Sequence, residues 1–122
     1  NDVVTATKLP GETEAEKGYR EEMIQRSLKQ ATLVPMTVAE DAIRVMELAG
    51  KTVAKGNKNT ISDGAVGIMV ARTAVLSALY NVKINLRAIK DKAFIDKISK
   101  QVKELEQSAL QKEKELLSNI NL

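Results

Sequence analysis

Residues 62–86 read SDGAVGIMVARTAVLSALYNVKINL, and this stretch decides the fold. Between Gly64 and Val82 its only charged residue is Arg72. A helix that is apolar nearly all round is expected to be buried on every side. Ser62 and Asp63 are residue types that cap helix N-termini, so the pattern predicts a long central helix from there to about Ile89. A membrane-spanning reading is weaker. The uncharged run from Thr73 to Val82 is too short to cross a bilayer, and Arg72 interrupts the longer one.

One stripe of this helix is built from small residues. Gly64, Gly67, Ala71, Ala74, Ala78, Asn81 and Asn85 recur at alternating spacings of three and four. Small side chains let another backbone approach closely, so the stripe predicts a tight helix–helix seam. Its far end changes chemistry, because Asn81 and Asn85 are amides, and buried amides need partners. They are read as a hydrogen-bonded pair that sets helix register, in preference to a site lined by amides. Along a helix they stand far from Asp63. They join it in one site only across a neighbouring-helix or subunit contact.

Working outward, Lys8-Leu9-Pro10-Gly11 is a breaker. Thr13 and Glu16 have the spacing of a capping box. A first helix follows to about Leu33, with Tyr19, Met23, Ser27 and Ala31 as its stripe. Val34-Pro35 predicts a break, because proline disfavours helix in the residue before it. Thr37 to Glu40 repeats the capping-box spacing. A second helix then runs to about Lys55, with Val38, Ala42, Val45, Ala49 and Val53 on one face. On the other side of the central helix, Phe94, Ile98, Val102, Leu105, Ala109 and Leu116 predict an amphipathic helix over about 92–118.

Composition agrees with an all-α, soluble helical bundle. The chain has 122 residues, 43% hydrophobic and 29% charged, which suits one globular domain. Two prolines and six glycines leave too few turns for a many-stranded sheet. Lysine and arginine number 19 against 16 acidic residues, and the signs are interleaved; no basic cluster marks a nucleic-acid surface. There is no cysteine and no histidine. Thiol and imidazole chemistry and N/S metal sites are therefore excluded within this chain. Proton transfer here falls to Asp, Glu, Lys or Tyr. The chain begins Asn1-Asp2-Val3-Val4 without Met, and this start is expected to be a fragment boundary.

The polar loop Gly56-Asn57-Lys58-Asn59-Thr60-Ile61 leads into Ser62 and Asp63. From position alone Asp63 is a helix cap first and a carboxylate at a cleft edge second. Ser62 competes for the capping role, which would free Asp63. Lys55 and Lys58 flank the loop, either solvated or facing an anion.

Taken together, Gly56-Asn57-Lys58-Asn59-Thr60-Ile61-Ser62-Asp63-Gly64-Ala65-Val66 and Asn81-Val82-Lys83-Ile84-Asn85-Leu86 resemble the formimidoyltetrahydrofolate cyclodeaminase/methenyltetrahydrofolate cyclohydrolase family. Its pattern is Gly-Asn-x-Asn-x-x-Ser-Asp, a helix of small residues, then Asn-Val-x-Ile-Asn. Lys8-Leu9-Pro10, Thr13, Glu16-Lys17, Arg20, Ile24-Gln25 and Pro35 also resemble the family's middle segment. The resemblance covers essentially the whole chain.

That resemblance implies an all-helical bundle with a long central buried helix. It implies one domain over residues 1–122 from which the family's N-terminal helices, with their Pro-Gly-Gly-Gly-type loop, are missing. It implies chemistry at the one-carbon unit of tetrahydrofolate, with no cofactor beyond that substrate and no metal. By matching position, Asp63 is the acid/base or cation-stabilising residue, and Asn57, Lys58, Asn59 and Ser62 are substrate-binding residues. Asn81 and Asn85 are structural or supporting. The expected partners are the folate and a second copy in a homodimer, without nucleic acid or membrane, in the cytoplasm. The reading from another class is a non-catalytic helical assembly module.

Overall fold

The computed structural model describes residues 1–56 and 58–120. It contains four helices: α1 (Asp2–Thr7), α2 (Glu14–Lys55), α3 (Ile61–Leu86) and α4 (Lys92–Ser118). No strand occurs among the described residues, so the expected all-α bundle is what forms. Helix α3 runs back along the second half of α2, and α4 returns over both. The core lies among these three, on Met46, Ile68, Val75, Leu79 and Val82, all fully buried. The short α1 covers Ser27 near the start of α2.

The Thr13–Glu16 capping box forms. The Glu16 amide donates to the Thr13 hydroxyl at 3.1 Å, and the Glu16 carboxylate accepts from the Glu12 amide at 3.1 Å. The break at Val34-Pro35 does not form. Helix α2 passes through Pro35 without interruption for 42 residues, about 63 Å at the usual rise. Proline has no N–H, so the carbonyl four residues earlier, that of Ala31, loses its helical donor. The side-chain amide of Asn85 donates to that carbonyl at 3.2 Å. A residue 54 positions away thus supplies the bond that proline removed. Thr37, read as the cap of a second helix, lies inside α2, and its hydroxyl donates to the Leu33 carbonyl at 3.2 Å.

Three further expectations are corrected. Helix α3 starts at Ile61 with Thr60 as N-cap, one turn ahead of an Asp63 cap, and it ends at Leu86. It is not buried on every side. Only α2 and α4 flank it, and Val66, Val70, Tyr80 and Ile84 on its outer side are 54–66% exposed. The α2 core line runs through Met36, Ala39, Ile43 and Met46, while Val38 and Val45 are half exposed. Tyr19 likewise points outward. By length and composition α3 alone among the described helices is apolar enough to cross a membrane. Its Arg72 is spent on a 2.9 Å ion pair with Glu113 of α4.

The small-residue seam is real and lies against α2. A Cβ on Gly64 would come within 2.0 Å of Val53 Cγ2, and one on Gly67 would meet the Ala49 side chain at 3.6 Å. The turn between α3 and α4 is latched to α2 by Gln25. Its amide donates to the Ala88 carbonyl at 3.0 Å and its oxygen accepts from the Lys90 amide at 2.9 Å. Lys90–Glu21 at 2.6 Å and Lys29–Asp91 at 2.7 Å flank that clamp.

Three outcomes follow for stability. Asn85→Ala should cost about 1–2 kcal/mol by leaving a partly buried carbonyl without a donor. In a Pro35→Ala background, where the backbone N–H returns, the same change should cost clearly less. Urea melts of the four-member cycle read this coupling. Gly64→Ala should destabilise by about 1–2 kcal/mol: overpacking against Val53, about 1–3 kcal/mol, outweighs the helix-propensity gain of up to about 1 kcal/mol. Val53→Ala should restore it in the same melts.

The third concerns pH. Hydrogen bonds from Lys90 and Lys29 hold the Glu21 and Asp91 carboxyls below their ordinary pKa. The Lys112 ammonium does the same to Glu47. Carboxyls lowered in the folded state stabilise it above their unfolded pKa, and that contribution is lost as pH falls through the lowered values. All three carboxyls are exposed, so the effect is small. Glu21→Gln with Asp91→Asn should lower the Tm slightly at neutral pH, and the difference should vanish at the acid end of a Tm-versus-pH series.

Candidate functional site

The loop between α2 and α3 and the first turn of α3 carry most of the residues singled out by sequence. Asn57 lies outside the described residues. Lys58, Asn59, Ser62 and Asp63 are all exposed. Asp63 is the third residue of α3, within the first turn. There the first backbone N–H groups of a helix lack intrahelical acceptors and the dipole end is positive. The backbone bond that closes this turn runs from the Gly64 amide to the Thr60 carbonyl, at 3.0 Å. Ser62 is inside the helix and is not its N-cap.

Lys58 opens onto a cavity of about 800 Å³ where the ends of α2 and α4 meet the start of α3. Its walls are Gly50, Val53, Ile61, Leu116 and Ile120, with Asn119 as a polar group. Gly50 leaves room for the Leu116 side chain, which a Cβ there would meet at 2.6 Å. Neither Ser62 nor Asp63 lines this cavity. The contribution of the α4 C-terminus was not legible in the sequence. Leu116 was assigned to a core stripe, and nothing local marked Asn119 or Ile120.

The two amides sit at the other end of α3, about 27 Å (Asn81) and about 33 Å (Asn85) from Asp63 along the axis. They line a second, open groove of about 670 Å³ between α2 and α3, with Val34, Val38, Ala74, Ser77, Ala78 and Ile84. The Asn85 amide donates to the Ala31 carbonyl. Asn81 is exposed and does not pair with it. Within one chain the fold therefore brings Lys58 and Asp63 to one end and Asn81 and Asn85 to the other. Gln25, quoted only as part of a resemblance, proves to hold the α3–α4 turn. A long polar side chain facing a turn 63 residues away leaves no local signal.

Residues 1–104 match the family described as formiminotransferase-cyclodeaminase. The chain is 38% identical over 104 residues to a methenyltetrahydrofolate cyclohydrolase of Methylorubrum extorquens, covering 85% of this chain and 49% of that protein. It is 33% identical over 104 residues to a formimidoyltransferase-cyclodeaminase of Sus scrofa, covering 85% of this chain and 19% of that protein. It is 32% identical over 123 residues to one of Dictyostelium discoideum, covering 98% of this chain and 22% of that protein. The chain thus spans about half the length of the bacterial relative and about a fifth of the two eukaryotic ones.

Proposed function

The chain belongs to the formiminotransferase-cyclodeaminase family, and from that premise we propose that it works on the one-carbon unit of tetrahydrofolate, forming or hydrolysing 5,10-methenyltetrahydrofolate. The observation that carries this reading is the family match over residues 1–104, which contains both the loop motif and the two amides of α3. The two candidate reactions share their chemistry. In the cyclodeaminase reaction one folate nitrogen attacks the formimidoyl carbon, and ammonia leaves from the resulting tetrahedral centre. In the cyclohydrolase reaction water adds to the methenyl carbon, and a carbon–nitrogen bond then opens. Each needs a proton moved at nitrogen or oxygen and a counter-charge for the cationic methenyl carbon.

Asp63 suits both tasks. It is an exposed carboxylate at a helix N-terminus, accessible to a ligand and to solvent. In this proposal it takes the proton of the attacking water, or hands one to the departing nitrogen, and its charge faces the cationic carbon. Lys58 receives the carboxylates of the folate tail at the mouth of its cavity. Asn57, Asn59 and Ser62 hydrogen-bond the ring system. No cofactor beyond the folate takes part, and the working unit is a cytoplasmic homodimer that engages neither nucleic acid nor membrane. The exposed apolar side of α2 and α3 favours a second reading, an assembly module without turnover.

The protein in its full genetic context, given each folate in turn, separates these readings through the near-ultraviolet absorbance of methenyltetrahydrofolate. A rise from formimidoyl-folate with release of ammonia identifies the cyclodeaminase. A protein-dependent fall from methenyl-folate identifies the cyclohydrolase. No change with either leaves the assembly module. In the active protein Asp63→Asn should lower turnover by roughly 10²–10⁴-fold with an unchanged circular dichroism spectrum. Near-normal turnover would remove Asp63 from the chemistry.

A further inference from the structure

Asp63-Gly64 is the single place in the chain where a glycine follows an aspartate or asparagine. Gly11, Gly18, Gly50, Gly56 and Gly67 follow Pro10, Lys17, Ala49, Lys55 and Val66. Packing holds this glycine in place, because a Cβ at position 64 would come within 2.0 Å of Val53 Cγ2 on α2. An aspartate before glycine has a chemistry of its own. The next backbone nitrogen can close on the aspartate's side-chain carbon to make a five-membered ring. Glycine resists this least, since it has no Cβ and the widest backbone freedom.

We propose that Asp63 is a site of spontaneous covalent modification, passing through a succinimide to isoaspartate while the rest of the protein stays folded. The Gly64 nitrogen attacks Asp63 Cγ and forms the new N–Cγ bond. The amide proton and one carboxyl oxygen leave as water. A water molecule then adds to either ring carbonyl. Opening at the main-chain carbonyl leaves the backbone running through Cβ and Cγ, with a free α-carboxylate. Opening at the other carbonyl restores aspartate. One water is lost and one is gained, and nothing is oxidised or reduced.

Two features of the folded helix oppose the ring closure, and both are local. The Gly64 N–H donates to the Thr60 carbonyl at 3.0 Å. Helical ψ at Asp63 keeps its side-chain carbon off the Gly64 nitrogen. Asp63 is only the third residue of α3, and of the two before it Ser62 is exposed and Ile61 partly buried. Restarting the helix at Asp63 unwinds Ile61 and Ser62 and puts an aspartate at the new N-cap, where that residue type is preferred. The buried Ala65 and Ile68 hold the helix beyond that point. Helix ends open at little cost in free energy, whereas core segments open only with the whole domain. The product inserts a main-chain atom before Gly64 and displaces the carboxylate. On the proposed role of Asp63, turnover falls as isoaspartate accumulates; this consequence alone rests on that reading.

The 122-residue chain is aged in warm neutral buffer made with heavy-oxygen water, and its tryptic peptide 59–72 is followed by chromatography and fragment mass. A second form with altered retention should accumulate, carrying one heavy oxygen at residue 63. Its rate should lie within about 100-fold of that in the urea-unfolded chain, because only a helix end has to open. The rate should also stay flat in urea below the unfolding transition, since so small an opening exposes little surface. A rate roughly 10³-fold or more below the unfolded chain, climbing with urea along the global slope, would mean that the whole domain must open and would overturn the proposal. So would a peptide that never gains the heavy oxygen. Asp63→Glu, which would need a six-membered ring, should abolish the modified form. Gly64→Ala combined with Val53→Ala, which relieves the packing clash, should remove most of it. An undiminished signal in either variant would also overturn the assignment. These read-outs need no folate. Isoaspartate in a chain without turnover leaves the site standing and sinks the folate reading. Turnover untouched by full conversion leaves the site standing and removes Asp63 from the chemistry.

Discussion

The bond from the Asn85 amide to the Ala31 carbonyl is the constraint on which the rest of the structure depends. Pro35 removes the helical donor for that carbonyl, which lies at the groove between α2 and α3. Because α3 supplies the donor, α2 stays continuous from Glu14 to Lys55. A single long α2 then serves as the surface on which every other element is laid. Its first third carries α1 and, through Gln25, the α3–α4 turn, and its end carries the loop with Lys58.

Helix α3 has two unlike sides. The inner side is closed down by Gly64 and Gly67, which allow the α2 backbone and the Val53 side chain to come into contact. Close approach there fixes the rotation of α3. That rotation in turn sends Asp63, Val70 and Asn81 outward. The outward direction of Asp63 is thus a consequence of glycine at its neighbour. Helix α4 has a different part. It anchors Arg72 through Glu113, reaches α2 through Lys112 and Glu47, and walls the Lys58 cavity with its last turn.

The family match ends at residue 104, whereas α4 continues to Ser118. The walls contributed by Leu116, Asn119 and Ile120 therefore lie past the family match, although the similarity to the Dictyostelium discoideum relative covers 98% of the chain. Variation in this last turn changes the shape of the cavity without touching the loop motif.

Sequence by itself determined the helical class, the start of α2 at the Thr13 capping box, the extent of α4 and the small-residue seam. Each of these is written in local spacing, which a helix converts directly into a face or an end. It also placed Lys58 and Asp63 near one helix terminus, because they are neighbours in the chain. Only the tertiary structure decided that α2 passes through Pro35, that Val38 and Val45 face out, and that the α4 C-terminus closes a cavity around Lys58. The exposure of one whole side of α3 belongs with these. In each case the deciding partner is distant in sequence. A proline breaks a helix unless a donor arrives from elsewhere, and an apolar helix is buried only as far as its neighbours reach.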